Sequence, residues 1–262
     1  MFDDLKHKVV LVLGSSSGIG EATAILFATY GCKLVVHGRN QQRIARVASK
    51  CASISPFGYK PLEVAADLRN LEEVRKLAKQ TIDHYGQLDI FVNNVAFKDT
   101  PAGILDEGVL KCMETMCFDK LRANVLLSHL LLPYLIETKG TMIILSSVCA
   151  IHPCFDKGKL LNFYMTDAAL DMLSKTLASE FGEKGVRVNT VNPYVVNTPA
   201  NYDLFPNESE AIKFMEEEAQ KSALKKLIQP EDVAKSIVFL SSDASNFVTG
   251  HSLVIDGGLL YH

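Results

Sequence analysis

The segment VVLVLGSSSGIG, residues 9–20, is the clearest indication of the fold in the sequence. Its first five residues are apolar and mostly β-branched, as in a buried strand, and a turn with three glycines leads into a stretch of helical periodicity. Gly14, Gly18 and Gly20 permit a tight turn and a close backbone approach, while the start of a helix offers unpaired N–H groups to a pyrophosphate. The segment therefore predicts a strand, a turn and a helix that bind a dinucleotide.

Strand-like and helix-like segments alternate along the rest of the chain. Further runs of strand length lie at residues 34–37, 62–66, 89–93 and 142–146, and two more helix and strand pairs follow, ending at SLVIDGG, residues 252–258. This alternation favours a parallel sheet, because right-handed crossovers cover both of its faces with helices. No linker, repeat or low-complexity tract divides the sequence. We therefore predict one α/β domain over residues 1–262, a Rossmann-like, doubly wound parallel sheet with helices on both faces, in three layers.

One long polar stretch, residues 197–226, interrupts this alternation. It contains the segment EAIKFMEEEAQKS, which has helical periodicity. An insertion beside a binding edge is a candidate substrate lid. A solvated helix with no role at the site is the alternative.

Charge and cysteine content narrow the range of partners. The net charge is −3 and no segment concentrates lysine and arginine, which argues against nucleic acids and anionic membranes. The six cysteines have no CxxC spacing, so we expect reduced, mostly buried thiols and no metal site. No apolar stretch is long enough to cross a bilayer, and the N-terminus has no secretory pattern. These features favour a cytoplasmic protein whose partners are small molecules or other proteins.

Several further motifs occur in the order and spacing of one known family. They are Asp67, NNVA at residues 93–96, LSS at 145–147, GVRVN at 185–189, NP at 192–193, Thr198, and the segment from TG at 249–250 to DGG at 256–258. Together with the glycine motif, they make the chain resemble the short-chain dehydrogenase/reductase family over its full length. The resemblance implies a bound nicotinamide dinucleotide, a small carbonyl or alcohol ligand, and a homo-oligomer, either a dimer or a tetramer.

The resemblance also assigns the cofactor-binding positions. They are Gly14, Ser16, Ser17, Gly18, Ile19, Gly20, Arg39, Asp67, Leu68, Asn93, Tyr194, Val196 and Thr198. After the second predicted strand, Gly38 stands where an NAD-preferring member carries an acidic residue, and Arg39 offers a charged, planar donor to a 2′-phosphate. We therefore expect NADP(H) as the cofactor.

The catalytic positions depart from the family pattern. In the family a tyrosine donates the proton, a lysine makes its ionised form accessible, a serine polarises the substrate oxygen, and an asparagine holds the proton relay. Ser147 matches the serine. Counting back without a gap from AALD at residues 168–171 places Phe163 at the tyrosine position and Asp167 at the lysine position. Neither residue can perform the chemical role of its position.

Two alignments stay open at these positions. Tyr164 is a displaced candidate acid, although a shift of one residue turns a helical side chain by about 100° and leaves Ala168 at the lysine position. The ungapped alignment places Lys120 at the asparagine position, with Asn124 one turn further along. Lys120 and Asp167 are then either a swapped ion pair or two independent solvated charges.

Tyr194 is another departure, because the family has glycine near the nicotinamide ring at that position. A tyrosine there could clamp the cofactor, narrow the substrate pocket or block the nicotinamide half of the site. We favour a nucleotide-binding pseudoenzyme that acts as a sensor, scaffold or partner subunit. The alternatives are an active NADPH-dependent carbonyl reductase or alcohol dehydrogenase that uses a rearranged acid such as Tyr164, and a structural subunit of an oligomer.

Overall fold

The architecture is a seven-stranded parallel sheet, given by a computed structural model that describes residues 2–94, 102–154, 160–202 and 205–262. The strands are β1 (Val9–Val12), β2 (Lys33–Gly38), β3 (Leu62–Ala65), β4 (Ile90–Asn93), β5 (Thr141–Leu145), β6 (Arg187–Pro193) and β7 (Ser252–Ile255). Their order is β3-β2-β1-β4-β5-β6-β7, with every neighbouring pair parallel. The chain thus winds outwards from β1 in one direction and from β4 in the other. The predicted doubly wound sheet is confirmed.

The described helices connect these strands. They are α1 (Gly18–Thr29), α2 (Gln41–Ile54), α3 (Leu71–Tyr85), α4 (Val109–Met113), α5 (Asp119–Thr138), α6 (Leu161–Phe181), α7 (Pro199–Tyr202), α8 (Glu208–Gln220) and α9 (Pro230–Ser241). A π-helical turn, Glu114–Phe118, joins α4 to α5. Within the described ranges, no helix combines the length and the apolar character needed to cross a membrane.

Two apolar cores lie on the two faces of the sheet. Val10 and Val12 of β1 pack with residues of α1, α2 and α9, whereas Val9 and Leu11 pack with residues of α3, α5 and α6. Side chains of a strand alternate between the faces, and both faces are covered here, so all four residues are buried. The three-layer arrangement is therefore confirmed.

The stretch at residues 197–226 forms α7 and α8, with residues 203–204 outside the described part. Asn207 is the N-cap of α8, and its side chain accepts a hydrogen bond from the backbone N–H of Glu210. One face of α8 is buried, and Met215 on that face belongs to the same core as α1. α8 therefore packs one face against the domain and leaves its opposite face exposed. Its role as a lid stays a prediction.

Candidate functional site

The predicted site residues come together at the carboxyl edge of the sheet. The glycine turn follows β1, Arg39 follows β2, Asp67 and Leu68 follow β3, Asn93 ends β4, Ser147 follows β5, and Tyr194 follows β6. The strand order reverses between β1 and β4, and in doubly wound sheets the nucleotide binds at that point. Val95 and Ala96 of the predicted NNVA motif lie outside the described residues.

The glycine turn is shaped by close backbone approaches. Gly14 has a φ of 61°, and a Cβ there would lie 2.7 Å from the carbonyl oxygen of Asn94. A Cβ on Gly20 would lie 2.3 Å from the carbonyl oxygen of Gly14. Within the described residues, the side chain of the N-cap residue Ser17 accepts no hydrogen bond from α1. These glycines allow the turn to fold tightly, and the turn fits a phosphate group because the first N–H groups of α1 need an acceptor.

His37 supports this turn, although no motif in the sequence predicted a role for it. The Gly14 N–H donates to His37 Nδ1 at 3.1 Å, and His37 Nε2 donates to the carbonyl oxygen of Ala66 at 3.2 Å. Burial lowers the pKa of His37 to about 4, so the ring is neutral at pH 7. The imidazole thus links the turn after β1 to the segment after β3 that carries Asp67.

The end of β2 is suited to a phosphorylated ribose. A Cβ on Gly38 would lie 2.6 Å from Ser16 Oγ, so a carboxylate at this position is sterically excluded while Ser16 keeps its place. Arg39 is exposed, and its guanidinium has the charge and geometry for a phosphate. Asp67 is half-buried, with Oδ1 accepting a hydrogen bond from the backbone N–H of Arg69. These residues fit the adenosine half of a dinucleotide that carries a 2′-phosphate.

A group of hydrogen-bonded side chains comes from the segment after β5 and from the N-terminal turns of α5 and α6. It consists of Lys120, Asp167 and Ser147. Lys120 Nζ on α5 lies 2.6 Å from Asp167 Oδ1 on α6, and the two side chains are only 10% and 5% exposed. The Ser147 hydroxyl donates to the second carboxylate oxygen, Oδ2, at 2.6 Å. The predicted swapped ion pair is therefore confirmed, and the alternative of two solvated charges is wrong. The carboxylate also engages the proton of Ser147, a contact that the sequence did not predict.

The contacts of Asn93 and Asn124 show whether Lys120 or Asn124 lies opposite Asp167. Asn124 Oδ1 accepts from Asn93 Nδ2 at 2.6 Å, and Asn124 Nδ2 donates to the carbonyl oxygen of Lys120 at 2.8 Å. Asn124 is thus directed to β4, and Lys120 occupies the position opposite Asp167. Asn93 Oδ1 is buried and accepts no hydrogen bond within the described residues. This acceptor could be satisfied by a donor group of a bound ligand.

The first turns of α6 carry the two aromatic residues of interest. Phe163 stands four residues before Asp167, so the two side chains share one face of the helix. Tyr164 is turned about 100° from that face. Both aromatic side chains are half-buried. Phe163 offers no proton beside the ion pair, and the role of Tyr164 as an acid stays a prediction.

Tyr194 is held by the inserted helix. Its hydroxyl donates to Glu218 Oε2 on α8, and Glu218 Oε1 accepts from Lys221 Nζ at 2.7 Å. Burial and the neighbouring Glu218 carboxylate raise the pKa of Tyr194. Glu218 was not predicted as a site residue, because nothing in a helical run of glutamates distinguishes the one that turns inwards. The Tyr194 hydroxyl is therefore directed to α8, and the effect of its ring on the cofactor or the substrate pocket stays a prediction.

The remaining predicted cofactor residues lie in the glycine turn or after β6. Val196 is buried and forms an isolated bridge with Ile228. Thr198 packs against the turn, since a Cβ on Gly18 would lie 3.3 Å from Thr198 Cγ2. Ser16 and Ile19 are half-buried in the turn itself. Among the described residues, no group of three histidine, cysteine, aspartate or glutamate side chains could hold a metal ion.

Comparisons with known proteins agree with this geometry. A family model described as enoyl-(acyl carrier protein) reductase matches residues 14–260. The chain is 33% identical to 3beta-hydroxysteroid dehydrogenase 1 of Eggerthella lenta, over 99% of this chain and 96% of that protein. It is 30% identical to glucose 1-dehydrogenase of Gluconobacter oxydans, over 98% of this chain and 93% of that protein.

A solved structure has the same fold over nearly the whole chain. L-Sorbose reductase from Gluconobacter frateurii, in complex with NADPH and L-sorbose, has a TM-score of 0.85 and 30% sequence identity, with 98% of each chain covered. The family model, the two dehydrogenases and this reductase each match almost the full length of the chain, from the glycine turn to the C-terminal strand. The chain therefore belongs to the short-chain dehydrogenase/reductase family.

Proposed function

We propose that the protein binds NADP(H) at the carboxyl edge of its sheet and has lost, or nearly lost, the hydride transfer of its family. One observation carries this proposal, namely the buried Lys120–Asp167 ion pair with the hydrogen bond that it receives from the half-buried Ser147. The Ser147 hydroxyl donates to Asp167 Oδ2 at 2.6 Å and its oxygen accepts from the backbone N–H of Cys149 at 3.0 Å. Its proton is thus directed to a carboxylate and away from a substrate oxygen.

The residues of the adenine half fit a dinucleotide. The glycine turn and the start of α1 would hold the pyrophosphate, Arg39 the 2′-phosphate, and Asp67 the adenine. When bound, NADPH would supply a hydride. The NADPH held by the related sorbose reductase supports the same cofactor for this chain.

The residues of the nicotinamide half do not supply the proton that must accompany the hydride. Phe163 has no ionisable group, and the Lys120 ammonium is engaged with the Asp167 carboxylate. A phenol near that carboxylate would be harder to ionise, because a negative charge disfavours a second one nearby. Recognition of the cofactor is then the remaining function, as in a sensor or a partner subunit.

The proposal is tested by measuring binding and turnover on the same sample. NADPH should bind in a fluorescence titration, whereas NADPH oxidation over a panel of ketones and aldehydes should stay near background. Tyr164→Phe is the matched variant, since it removes the displaced candidate acid. Turnover well above background that is abolished by Tyr164→Phe would establish the active reductase instead. A protein that binds no NADPH would contradict the proposal altogether.

A further inference from the structure

Two cysteines lie close together beside Ser147. Cys149 belongs to a short 3-10 turn, Val148–Ala150, and Cys154 lies in the irregular residues 151–154 that follow it. Their sulfur atoms are 3.9 Å apart and both side chains are half-buried. A disulfide bond is about 2 Å long, so the sulfur atoms need to approach by about 2 Å. Only four residues separate the cysteines, and the required movement is therefore local.

We propose that Cys149 and Cys154 are a reversible redox pair that closes to a disulfide when the protein meets a low-molecular-weight disulfide such as glutathione disulfide. The proposal concerns the protein's own thiols and does not depend on hydride transfer. It assigns a modification site two residues after Ser147. The two residues are in contact, because the Cys149 N–H donates to Ser147 Oγ at 3.0 Å.

The exchange proceeds in two balanced steps. The Cys149 thiolate attacks one sulfur of glutathione disulfide, which forms a mixed disulfide and releases one glutathione thiolate. The Cys154 thiolate then attacks the Cys149 sulfur, which forms the intramolecular bond and releases the second glutathione. The two thiols lose two electrons and two protons in total, and glutathione disulfide is reduced to two glutathione molecules.

The environment of the pair supports this order of attack. The hydrogen bond from Cys154 lowers the pKa of Cys149, because an S–H donor stabilises the first thiolate to form. The same bond, together with burial, raises the pKa of Cys154. By contrast, burial raises the pKa of Cys51 to about 12 and also raises that of Cys32. These two buried thiols serve as internal controls that should stay reduced.

The test uses the full chain in buffers of graded glutathione to glutathione disulfide ratio, followed by alkylation of free thiols, trypsin digestion and mass spectrometry. Residues 140–157 form one tryptic peptide that contains both cysteines and no other. We expect this peptide to lose two hydrogens and to resist alkylation at ratios where the peptides of Cys32 and Cys51 are still fully alkylated. Reducing agent should restore both alkylation sites.

Variants separate the pair from general thiol reactivity. Cys154→Ser should leave Cys149 with a bound glutathione, since the resolving thiol is absent, whereas Cys112→Ser should oxidise like the parent. The proposal is overturned if both cysteines of the parent are alkylated at every ratio, or if each carries its own glutathione. It is also overturned if the unfolded chain in urea closes this bond as readily as the folded one, because the fold would then contribute nothing.

Discussion

The two halves of the site differ in what holds them. In the adenine half, glycines are required by backbone contacts, as at Gly14 and Gly20, where any Cβ would collide with a carbonyl oxygen. In the nicotinamide half, buried side chains bond to one another, as in the Lys120–Asp167 pair and the contact of Tyr194 with Glu218. Binding geometry is thus built into the backbone, whereas the chemistry depends on side chains that can be exchanged within the same fold.

The exchanged side chains are compensated within the nicotinamide half. Removing a family lysine and placing a carboxylate in its position would leave a buried charge, which costs several kcal/mol if it is unpaired. Lys120 supplies the opposite charge from the neighbouring helix, and Ser147 donates to the remaining carboxylate oxygen. Lys120, Phe163 and Asp167 therefore need to be changed together if the family's chemistry is to return.

The largest expected effect is the restoration of hydride transfer by the triple variant Lys120→Asn, Phe163→Tyr, Asp167→Lys. It should raise turnover with NADPH by about 10²–10⁴-fold, the usual contribution of a general acid. Phe163→Tyr alone should do little, because the Asp167 carboxylate would raise the pKa of the new phenol. The measurement is NADPH absorbance over ketones and aldehydes. Equal rates for the triple variant and the parent would show that the two halves do not differ as proposed.

A double variant without Lys120→Asn tests whether Lys120 must also be replaced. The double variant Phe163→Tyr, Asp167→Lys would place two ammonium groups where Nζ and Oδ1 are now 2.6 Å apart. Repulsion should make it less active and less stable than the triple variant. A double variant as active as the triple one would mean that Lys120 can move away at no cost.

A second prediction concerns the stability of the nicotinamide half. Lys120→Met should lower the free energy of unfolding by about 3–5 kcal/mol, because it leaves the buried Asp167 without its cation. The double variant Lys120→Met, Asp167→Leu should lose much less than the sum of the two single changes. Lys79→Met is the control, since the Lys79–Asp83 pair is exposed and pairs of this kind contribute about 0.3–0.5 kcal/mol. The free energies of unfolding are measured in urea. If the loss in the double variant equals the sum of the losses in the two single variants, Lys120 and Asp167 are not a coupled pair.

The fold could be predicted almost completely from the sequence, since it depends on patterns that are local along the chain. The apolar run before Gly14 and the alternation after it identified the parallel sheet. The ends of β1 to β5 differ by about one residue from those predicted, whereas β6 and β7 were predicted without bounds. The Lys120–Asp167 contact was also predictable, because both positions neighbour each other in the resembled family.

Other contacts of the site could not be predicted. Tyr194 bonds to a glutamate 24 positions away, and the ring of His37 reaches backwards to Gly14 and forwards to Ala66. Such contacts depend on which rotamer a packed side chain adopts, and periodicity carries no information on that. The approach of Cys149 and Cys154 depends likewise on the path of an irregular segment.

A third prediction tests the adenine half through pH. The pKa of His37 falls from 6.5 to about 4 on folding, so the unfolded chain binds more protons between these two values. Stability is therefore fully present above pH 6.5 and declines as the pH falls towards 4, by about 3 kcal/mol in all at 1.36 kcal/mol per pKa unit. His37→Gln keeps a donor and an acceptor but cannot titrate. The unfolding free energy of this variant should fall less over this range. If the unfolding free energies of the parent and the variant fall in parallel with pH, His37 is not the cause of the loss of stability.

The last prediction, with the smallest change in free energy, concerns the choice between NADPH and NADH, which we expect to depend on one exposed side chain. Gly38 leaves no carboxylate to repel a 2′-phosphate, and a Cβ there would meet Ser16 Oγ at 2.6 Å. We therefore expect Arg39 to be the residue that distinguishes NADPH from NADH. The parent should bind NADPH more tightly. Equal affinities or a preference for NADH would remove the reason for treating the adenine half as intact.

In a binding titration, Arg39→Ala should weaken the binding of NADPH by about 1–3 kcal/mol, the size expected when a charged hydrogen-bond partner is lost. This is an increase of roughly 5- to 150-fold in the dissociation constant. NADH should be nearly unaffected, because it has no phosphate for the guanidinium to meet. Arg75→Ala on α3 is the matched control, since it removes an equally charged, exposed side chain whose described partner is Glu72. If both arginine variants weaken NADPH alike, the effect is one of net charge, and the 2′-phosphate is recognised elsewhere on the adenine half.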